Sequence, residues 1–458
     1  MKKLSPTVLI IIGISGDLST RKLLPAIAKI AGAGEIPEQF RVIGISRQYL
    51  EKADLLAKAT GDTDEARLSR YFLDTKLELM KLDYDSEADF AHLATKLDEI
   101  DTEFGTPAQR LYYLSVPPQA AMPIVDQLGK SGLSKVPDTK LLLEKPFGVD
   151  LASAKMLIEH TLLHFSEEQV YRIDHYMAKE MAQNLLVFRR GNTLFHRTWN
   201  KDFIERIEII ASERIGIEGR SGFYEQTGAL RDLVQSHLLQ LAALTLMDLP
   251  DLDKLSTIRG LRLAALHYIE EASIKTVAKN VVRGQYESYR EEVKNPKSMV
   301  ETFVSINLES ADPKWAGVPI TITTGKALDA KMTEIHVYYH KDDQSESNKL
   351  TLRIAPNEGI EISLWVKKPG YELDFVCAPL DFVYDQYYAH LPEAYEQVLL
   401  DAMRSDQTLF ASSKEVLSSW EILAPIQEKW SHANVELKMY KSGASIESIL
   451  KQGKTDNK

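Results

Sequence analysis

The chain has 458 residues, more than one ordinary hydrophobic core accommodates, so roughly two or three domains are expected. With 44% hydrophobic and 26% charged residues it has the composition of a globular protein, and its formal net charge of −11 argues against a general nucleic-acid-binding or anionic-membrane surface. The single cysteine, Cys377, excludes an internal disulfide and a multi-cysteine metal site, and is typical of a reducing cytoplasm.

The first apolar run covers residues 8–12, and the lysines before it give the N-terminus a superficial likeness to a secretion signal. The run is short, Pro6 interrupts its start and no small-residue cleavage site follows, so we interpret it as a buried parallel strand. Gly13 and Gly16 then form a Gly-x-x-Gly turn before a helix that begins near Thr20. A glycine turn between strand and helix is the arrangement that binds a dinucleotide pyrophosphate, although this spacing lacks the third glycine of the full fingerprint and also suits an ordinary tight turn.

The second strand, residues 41–45, ends in Ser46 and Arg47. A carboxylate at this position would accept a hydrogen bond from a free ribose 2′-hydroxyl, whereas a guanidinium would pair with a 2′-phosphate. Because the sequence has Arg47 and no acid here, it favours NADP over NAD, with an exposed loop arginine as the alternative interpretation.

Four further strands are predicted, with helical stretches between them, at residues 77–82, 111–116, 140–143 and 170–173. This alternation predicts a Rossmann-like, doubly wound parallel sheet, in which ligands bind outside the carboxyl ends of the strands. Pro117 follows one such end and the pair Glu144 and Lys145 another. Lys145 is suited to hydrogen-bond a cofactor or sugar oxygen, but a simple ion pair with Glu144 fits this motif equally well.

Residues 172–180 join the last of these strands to a predicted helix. On a helix, His175, Tyr176 and Lys179 would share one face, where an imidazole, a phenol and an ammonium group could bind a phosphate dianion. The alternative is that Asp174 is the N-cap of the helix and the other residues form a solvated first turn.

The second half of the chain has a different pattern. A strand over 203–211, a glycine-rich loop over 216–222 and one amphipathic helix over 228–247 are followed by segments that alternate with period two, which predicts a large, mainly antiparallel sheet with one covered face. The alternating segments are residues 300–306, 319–323, 335–339, 350–354 and 360–366. Residues 341–349 are predicted to be a hairpin loop, the helices 392–403 and 413–430 to cover the sheet, and the tail after residue 440 to be frayed.

Several motifs, in this order along the chain, resemble those of the glucose-6-phosphate dehydrogenase family. They are Gly-x-Ser-Gly-Asp-Leu-x-x-Arg-Lys at 13–22, Tyr-Leu-x-x-Pro-Pro at 113–118, Glu-Lys-Pro-Phe-Gly at 144–148, Arg-Ile-Asp-His-Tyr-x-x-Lys-Glu at 172–180, Glu-Gly-Arg at 218–220, Gly-Ala-Leu-Arg-Asp-x-x-Gln-x-His at 228–237, Trp-x-Gly-Val-Pro at 315–319, Gly-Lys-x-Leu at 325–328 and Pro-Glu-Ala-Tyr-Glu-x-x-Leu-Leu-Asp at 392–401. The resemblance covers nearly the whole chain.

The resemblance implies oxidation of D-glucose 6-phosphate at C1 to 6-phospho-D-glucono-1,5-lactone, the first step of the oxidative pentose phosphate pathway, with NADP as cofactor and NAD as a secondary possibility. It implies that His237 is the general base and that Asp174 lies beside it and orients it. The implied substrate residues are Lys145, His175, Tyr176, Lys179, Glu213, Asp232, Lys326 and Lys331, and the implied cofactor residues are Gly13, Ser15, Gly16, Asp17, Leu18, Lys22, Arg47, Pro117 and Lys145. It also implies a cytoplasmic homodimer or homotetramer, with a dinucleotide-binding domain at residues 1–175 and an α+β substrate and dimerisation domain at 176–458.

The chemistry of the implied reaction agrees with these residue types. Oxidation of a hemiacetal releases a hydride and a proton, so a histidine base and an orienting carboxylate are suitable, and no metal is needed because the nicotinamide accepts the electrons. No nucleic-acid or membrane partner is expected.

Three features depart from the family pattern or strain it. Ser236 replaces a common asparagine, Lys331 replaces a common arginine, and Asp232 lies five residues before His237, about 140° around an ideal helix. Two alternatives remain, namely another two-domain NAD(P)-dependent sugar dehydrogenase or a catalytically silent dinucleotide-binding regulator.

Overall fold

The computed structural model describes residues 4–60, 64–249, 251, 257–341, 347–388, 391–432 and 436–452. These residues form two compact units. The first consists of Met1–Gly148, Ala152–Ala178 and Pro392–Ser413, and the second of Val149–Leu151, Lys179–Leu391 and Lys414–Lys458. The predicted domain boundary after residue 175 stays a prediction, and most of the predicted loop at 341–349 lies outside the described residues.

The strands are, in chain order, β1 (Thr7–Ile12), β2 (Phe40–Ser46), β3 (Leu77–Lys81), β4 (Gln109–Leu114), β5 (Thr139–Leu143), β6 (Val170–Arg172), β7 (Ile204–Ser212), β8 (Val281–Tyr286), β9 (Phe303–Leu308), β10 (Ile320–Gly325), β11 (Met332–Tyr339), β12 (Lys349–Ala355), β13 (Gly359–Lys367), β14 (Phe375–Val383) and β15 (Lys438–Tyr440).

The α-helices are α1 (Leu24–Gly32), α2 (Lys52–Thr60), α3 (Asp64–Lys76), α4 (Glu87–Phe104), α5 (Pro118–Lys130), α6 (Leu151–Leu162), α7 (Glu180–Gly191), α8 (Thr193–Thr198), α9 (Ser221–Ala229), α10 (Leu239–Leu246), α11 (Ile258–Ser273), α12 (Tyr289–Glu292), α13 (Ala394–Arg404), α14 (Ser413–Ser431) and α15 (Ile446–Lys451). Two segments are π-helical, Ser19–Leu23 and Leu230–Leu238, and short 3₁₀ turns occur at Leu133–Lys135, Glu167–Gln169 and Tyr384–Gln386. Across the described ranges, each helix falls short of the length or the apolar character that a bilayer-spanning segment requires.

The first unit is built on a six-stranded parallel sheet with the order β3-β2-β1-β4-β5-β6. Every residue of β1 and of β4 is buried, which explains why residues 8–12 and 111–114 are apolar without alternation. Gln109 and Arg110 at the start of β4 are polar but buried as well. The predicted doubly wound parallel sheet is therefore confirmed.

Helix α13 belongs to the first unit, although the sequence analysis assigned residues 392–403 to the cover of the antiparallel sheet. Its Val398 and Leu399 share a buried core with Leu9 of β1. Two buried polar groups of the parallel sheet also reach this helix, since Gln109 Nε2 donates to the Met403 carbonyl at 2.9 Å and Lys140 Nζ donates to the Ala402 carbonyl at 2.6 Å. The prediction was wrong because an amphipathic pattern shows that a helix has a buried face but not which sheet that face covers.

The second unit is built on a nine-stranded sheet with the order β14-β13-β12-β11-β7-β10-β9-β8-β15. Neighbouring strands are antiparallel except for the β7–β10 and β8–β15 pairs, which are parallel, so the predicted mainly antiparallel sheet is confirmed. Strands β8, β14 and β15 were not predicted from the sequence. The outer strand β14 is largely exposed and shows no alternation, and β15 has only three residues.

The helix predicted over 228–247 is confirmed for residues 230–246, which form the π-helical segment followed directly by α10. Helix α9 precedes it across a kink at Gly228, whose φ is 62° and ψ −178°. One prediction about the second unit was wrong. The tail after residue 440 is not frayed over Ser445 to Lys451, because Ser445 caps α15 and Ile449 is packed in a core with Tyr286 and Phe303.

Candidate active site

The turn after β1 is held between the ends of two neighbouring strands. Gly13 donates its N–H to the Ile45 carbonyl of β2 at 2.9 Å, and its φ is +93°. A Cβ atom on Gly13 would lie 2.1 Å from the Ser115 carbonyl oxygen, so only glycine fits here. Ser19 Oγ lies at hydrogen-bonding distance from both the Gly13 carbonyl oxygen, 3.1 Å, and Ser115 Oγ, 2.9 Å, which fixes the turn to the end of β4.

An open cleft of about 380 Å³ lies at the carboxyl ends of the parallel strands. The structure brings six of the predicted site residues to its wall, namely Gly16, Asp17, Leu18, Pro117, Lys145 and His175. Glu144 and Tyr395, which were not predicted as site residues, also line it. Ser15 is exposed in the same turn.

Glu144 has an unusual environment in this cleft. The Tyr113 hydroxyl donates to its Oε1 at 2.5 Å, and the Tyr395 hydroxyl hydrogen-bonds the same carboxyl group. Burial raises the pKa of Glu144 to about 7, although hydrogen bonding by Tyr113 and the charge of Lys145 act in the opposite direction. Burial and the Glu144 carboxylate also raise the pKa values of Tyr113 and Tyr395. In sequence, the charged pair at the end of β5 was the available signal, but nothing in it indicated the two tyrosines.

Residues 174–179 do not form the predicted helical face. Asp174 is buried, its Oδ1 accepts the Tyr176 N–H at 2.9 Å, and its carbonyl accepts the Met177 N–H at 3.1 Å. These bonds close turns, and α7 begins only at Glu180, with Lys179 in an extended conformation as its N-cap. The prediction that His175, Tyr176 and Lys179 share a helix face was therefore wrong. Within the first unit, the His175 ring is stacked on Tyr395 with ring centroids 6.2 Å apart.

Two predicted cofactor residues lie at the surface of the first unit. Arg47 is exposed just beyond β2, with its guanidinium carbon 5.5 Å from the centroid of the Tyr84 ring. Lys22 forms an ion pair with Glu393 at 3.1 Å, next to the start of α13. Both side chains are accessible to solvent.

In the second unit, Asp232 and His237 lie on the π-helical segment. The Leu239 N–H bonds to the Val234 carbonyl, five residues back, so residues five apart are brought to nearly the same side of the helix. The separation of about 140° expected for an ideal α-helix is thus incorrect for this pair. His237 is buried, and Ser236 Oγ donates to the Asp232 carbonyl at 3.2 Å, inside its own helix.

The start of this helix is fixed by Glu301. Its Oε1 accepts the Leu230 N–H at 3.0 Å and its carbonyl accepts the Ala229 N–H at 3.0 Å. Gly228 allows this contact, because a Cβ atom there would lie 2.4 Å from Glu301 Oε1. Burial raises the pKa of the Glu301 carboxyl group.

Lys326, Glu213 and Asp232, three predicted residues of the second unit, interact with Tyr224, which the sequence did not single out. Lys326 is buried, donates to Glu213, and lies 5.3 Å from the centroid of the Tyr224 ring. Burial, together with the negative charges of Asp232, Glu301 and Glu213, raises the pKa of Tyr224. Lys331 is exposed, one residue before β11.

Comparison with known proteins decides the family. Residues 10–184 match the family described as the glucose-6-phosphate dehydrogenase NAD binding domain, and residues 186–451 match the glucose-6-phosphate dehydrogenase C-terminal domain. The chain belongs to the glucose-6-phosphate dehydrogenase family. The resemblance seen in the sequence is confirmed, and the family is one of oxidoreductases that carry a dinucleotide-binding domain.

Members of the glucose-6-phosphate dehydrogenase family match along almost all of the chain. A glucose-6-phosphate 1-dehydrogenase of Chlamydia muridarum is 35% identical over 93% of this chain and 90% of its own length. That of Aggregatibacter actinomycetemcomitans is 37% identical over 91% of this chain and 90% of its own. A solved glucose-6-phosphate dehydrogenase in complex with glucose 6-phosphate covers 100% of both chains, with 30% identity and a TM-score of 0.90.

Proposed function

We propose that this chain oxidises D-glucose 6-phosphate at C1 to 6-phospho-D-glucono-1,5-lactone, with NADP as the preferred hydride acceptor. The observation that carries the proposal is the end-to-end likeness to the solved complex with glucose 6-phosphate. The alternative sugar dehydrogenase and the silent regulator have less support, because this likeness extends through the substrate domain as well as the dinucleotide domain.

In this proposal His237 takes the proton of the C1 hydroxyl group, and Asp174 orients the imidazole and stabilises its protonated form. A histidine suits this role because its pKa lies near neutral pH. When bound, the nicotinamide accepts the hydride from C1. The burial of each side chain, His237 and Asp174, supports the roles, since packing on all sides restricts the rotation of an imidazole or a carboxylate.

His175, Tyr176, Lys179 and Lys331 are proposed to bind the 6-phosphate, while Lys145, Glu213 and Asp232 are proposed to hold sugar hydroxyl groups. Lys326 is proposed to add its positive charge to the phosphate site, and its ammonium group donates a hydrogen bond to Glu213. Fixing a phosphate at a distance from C1 orients the reacting carbon and can lower the barrier by several kcal/mol, on the order of the known effects of positioning.

For the cofactor, the Gly13 turn and the neighbouring cleft suit a dinucleotide, because the turn excludes a side chain and brings backbone close to the strand ends. The residues proposed to hold it are Gly13, Ser15, Gly16, Asp17, Leu18, Lys22, Arg47, Pro117 and Lys145. The preference for NADP over NAD is supported by the exposed guanidinium of Arg47 at the end of β2. We likewise propose that residues 1–175 serve the dinucleotide and residues 176–458 the substrate, apart from Pro392–Ser413 of the first unit.

A homodimer through the outer strands of the nine-stranded sheet is also part of the proposal, with a homotetramer as the alternative. Adjacent strands β13 and β14 expose Trp365, Val366, Phe375, Val376 and Leu380 on the surface of one chain. An apolar edge of this kind marks a contact surface between proteins. A cytoplasmic location is proposed from the single, exposed Cys377.

The test is the growth of NADPH absorbance with glucose 6-phosphate, compared with unphosphorylated glucose and with NAD in place of NADP. We expect a rate only with the phosphorylated sugar, and a lower kcat/KM with NAD. His237→Asn should lower kcat by orders of magnitude, about 10²–10⁴-fold, while leaving the affinity for the sugar phosphate near normal. Equal rates with both sugars would favour the wider group of sugar dehydrogenases, and a modest loss in His237→Asn would assign the base elsewhere.

A further inference from the structure

Two histidines and one aspartate converge at a place in the first unit that the proposed reaction does not use. His160 lies near the end of α6, His164 follows four residues later in the turn after that helix, and Asp126 lies on α5. His160 Nε2 is 2.7 Å and His164 Nε2 is 3.0 Å from the same oxygen, Asp126 Oδ1. Within the described residues, these three form a group whose possible ligand atoms all lie within 4.8 Å of one another.

The donor set is one that a transition-metal ion prefers. Zinc binds imidazole nitrogen and carboxylate oxygen at about 2.0–2.2 Å, usually with four ligands in a tetrahedron. Neighbouring ligand atoms in such a tetrahedron are therefore about 3.3 Å apart. The observed separations of 2.7 and 3.0 Å need only small side-chain rotations to reach that value. All three side chains are only partly buried, at 29%, 22% and 34% relative exposure, so an ion and a completing water can enter from solvent.

The packing of His164 supplies a second observation. Gly129 lies inside α5, three residues after Asp126, and a Cβ atom on it would lie 2.0 Å from His164 Nδ1. Glycine inside a helix is less favourable than alanine by roughly 0.5–1 kcal/mol. Helix α5 thus has a helix-destabilising residue at the position where the His164 ring packs against the helix. This packing lets His164 Nε2 face Asp126.

We propose that Asp126, His160 and His164 bind one divalent transition-metal ion of the zinc class and link α5 to α6. The imidazoles offer Nε2 and the aspartate a carboxylate oxygen, with water as the remaining ligand. Calcium and magnesium are disfavoured at this site, because both prefer oxygen ligands to imidazole nitrogen. Helix α5 begins at Pro118, directly after Pro117 of the candidate cofactor cleft, so the ion would anchor the far part of a helix whose first turn borders that cleft.

The experiment is a titration of the tag-free full-length protein with zinc, in competition with a chromophoric chelator, with the melting temperature measured in parallel. We expect one ion per chain and a rise in melting temperature. His160→Ala and His164→Ala should each weaken binding by about 10–100-fold or more and remove the rise. Two controls should bind like the wild type: His92→Ala, which removes an exposed histidine of α4, and Cys377→Ser, which removes the exposed thiol.

Gly129→Ala separates metal binding from simple packing. Alanine favours the helix, but its methyl group occupies the space of the His164 ring, so zinc affinity should fall while the circular dichroism spectrum stays that of the folded protein. The proposal is overturned if the titration shows no binding of one zinc ion per chain. It is also overturned if Cys377→Ser abolishes binding while the histidine variants do not, or if His92→Ala lowers the zinc affinity as much as His160→Ala. Because the readouts are affinity and melting temperature, the result does not depend on whether the chain oxidises glucose 6-phosphate.

Discussion

Gly228→Ala should destabilise the second unit, because Gly228 determines how the helix that carries Asp232 and His237 begins. Its φ of 62° and ψ of −178° fall in a region that is essentially restricted to glycine, and an alanine forced to remain there costs about 1–3 kcal/mol. The new Cβ atom would also displace Glu301 Oε1, which accepts the Leu230 N–H. Loss of such a bond at a helix start costs about 0.5–2 kcal/mol. We therefore expect a total of about 2–5 kcal/mol, a large part of a typical stability of about 5–15 kcal/mol.

Urea unfolding followed by tryptophan fluorescence measures this effect in the right part of the chain. All five tryptophans belong to the second unit, at positions 199, 315, 365, 420 and 430. The free energy of unfolding is obtained by linear extrapolation. We also expect a lower kcat in Gly228→Ala, because the helix that holds His237 must shift to relieve the clash.

Gly222→Ala is the matched control, because Gly222 lies in the same helix, α9, and a Cβ atom on it would meet nothing within 4 Å. This substitution should be neutral or stabilising by up to about 1 kcal/mol, since it restricts the unfolded chain. Glu301→Gln keeps an oxygen acceptor for the Leu230 N–H and should cost less than Gly228→Ala. If Gly228→Ala and Gly222→Ala differ by less than about 0.5 kcal/mol, a value typical of neutral surface changes, the role assigned to Gly228 is wrong.

Three further substitutions test other parts of the molecule. The folded state raises the pKa of Glu144 from 4.5 to about 7, so it binds the proton of this carboxyl group more tightly than the unfolded state does. This contribution to stability is fully present below about pH 4.5 and is lost as the pH rises through about 7. Hydrogen exchange in the first unit should show the stability of the wild type falling by about 3 kcal/mol relative to Glu144→Gln over this range, and parallel pH profiles would contradict the prediction. Glu415→Ala removes the carboxylate that lies 2.8 Å from the buried guanidinium of Arg262, and should lower the free energy of unfolding by about 3–5 kcal/mol, measured by tryptophan fluorescence. Asp248→Ala removes the carboxylate of the more exposed pair with Lys314 and should lower it by less than about 1 kcal/mol. Arg47→Ala should raise the Kd for NADP more than the Kd for NAD, and an equal rise would remove Arg47 from cofactor selection.

The parallel sheet could be predicted because its signals are local. The strands β1 and β4 are buried on both faces, so residues 8–12 and 111–114 are continuous apolar runs. The glycine at position 13 is required by the close approach of Ser115. The antiparallel sheet was predictable where one face is covered, as in β12, but not in β14, whose residues are mostly exposed. Alternation of apolar and polar residues therefore reveals a strand only where one face of the strand is buried and the other is exposed.

The errors near the site arose where tertiary contacts override helix periodicity. The Asp174 side chain bonds to the Tyr176 N–H and delays the start of α7 to Glu180, although residues 174–179 are compatible with a helix. Likewise, the π-helical segment moves Asp232 and His237 to nearly one side, which no ideal helical wheel predicts. Both deviations occur among residues assigned to chemistry, as expected if local rules are broken where function requires a particular orientation.

The pKa of Glu144 depends on the tertiary packing around its carboxyl group and not on its sequence motif. Glu144 stands beside Lys145 in sequence, which alone would keep a carboxylate ionised. In the folded chain Tyr113 and Tyr395 enclose it, and burial outweighs both their hydrogen bonds and the neighbouring cation, so that the pKa rises to about 7. Tyr395 comes from α13, a helix that the sequence placed on the wrong sheet. The same misassignment therefore hid both the packing of that helix and the hydrogen bond that its Tyr395 makes to the Glu144 carboxyl group.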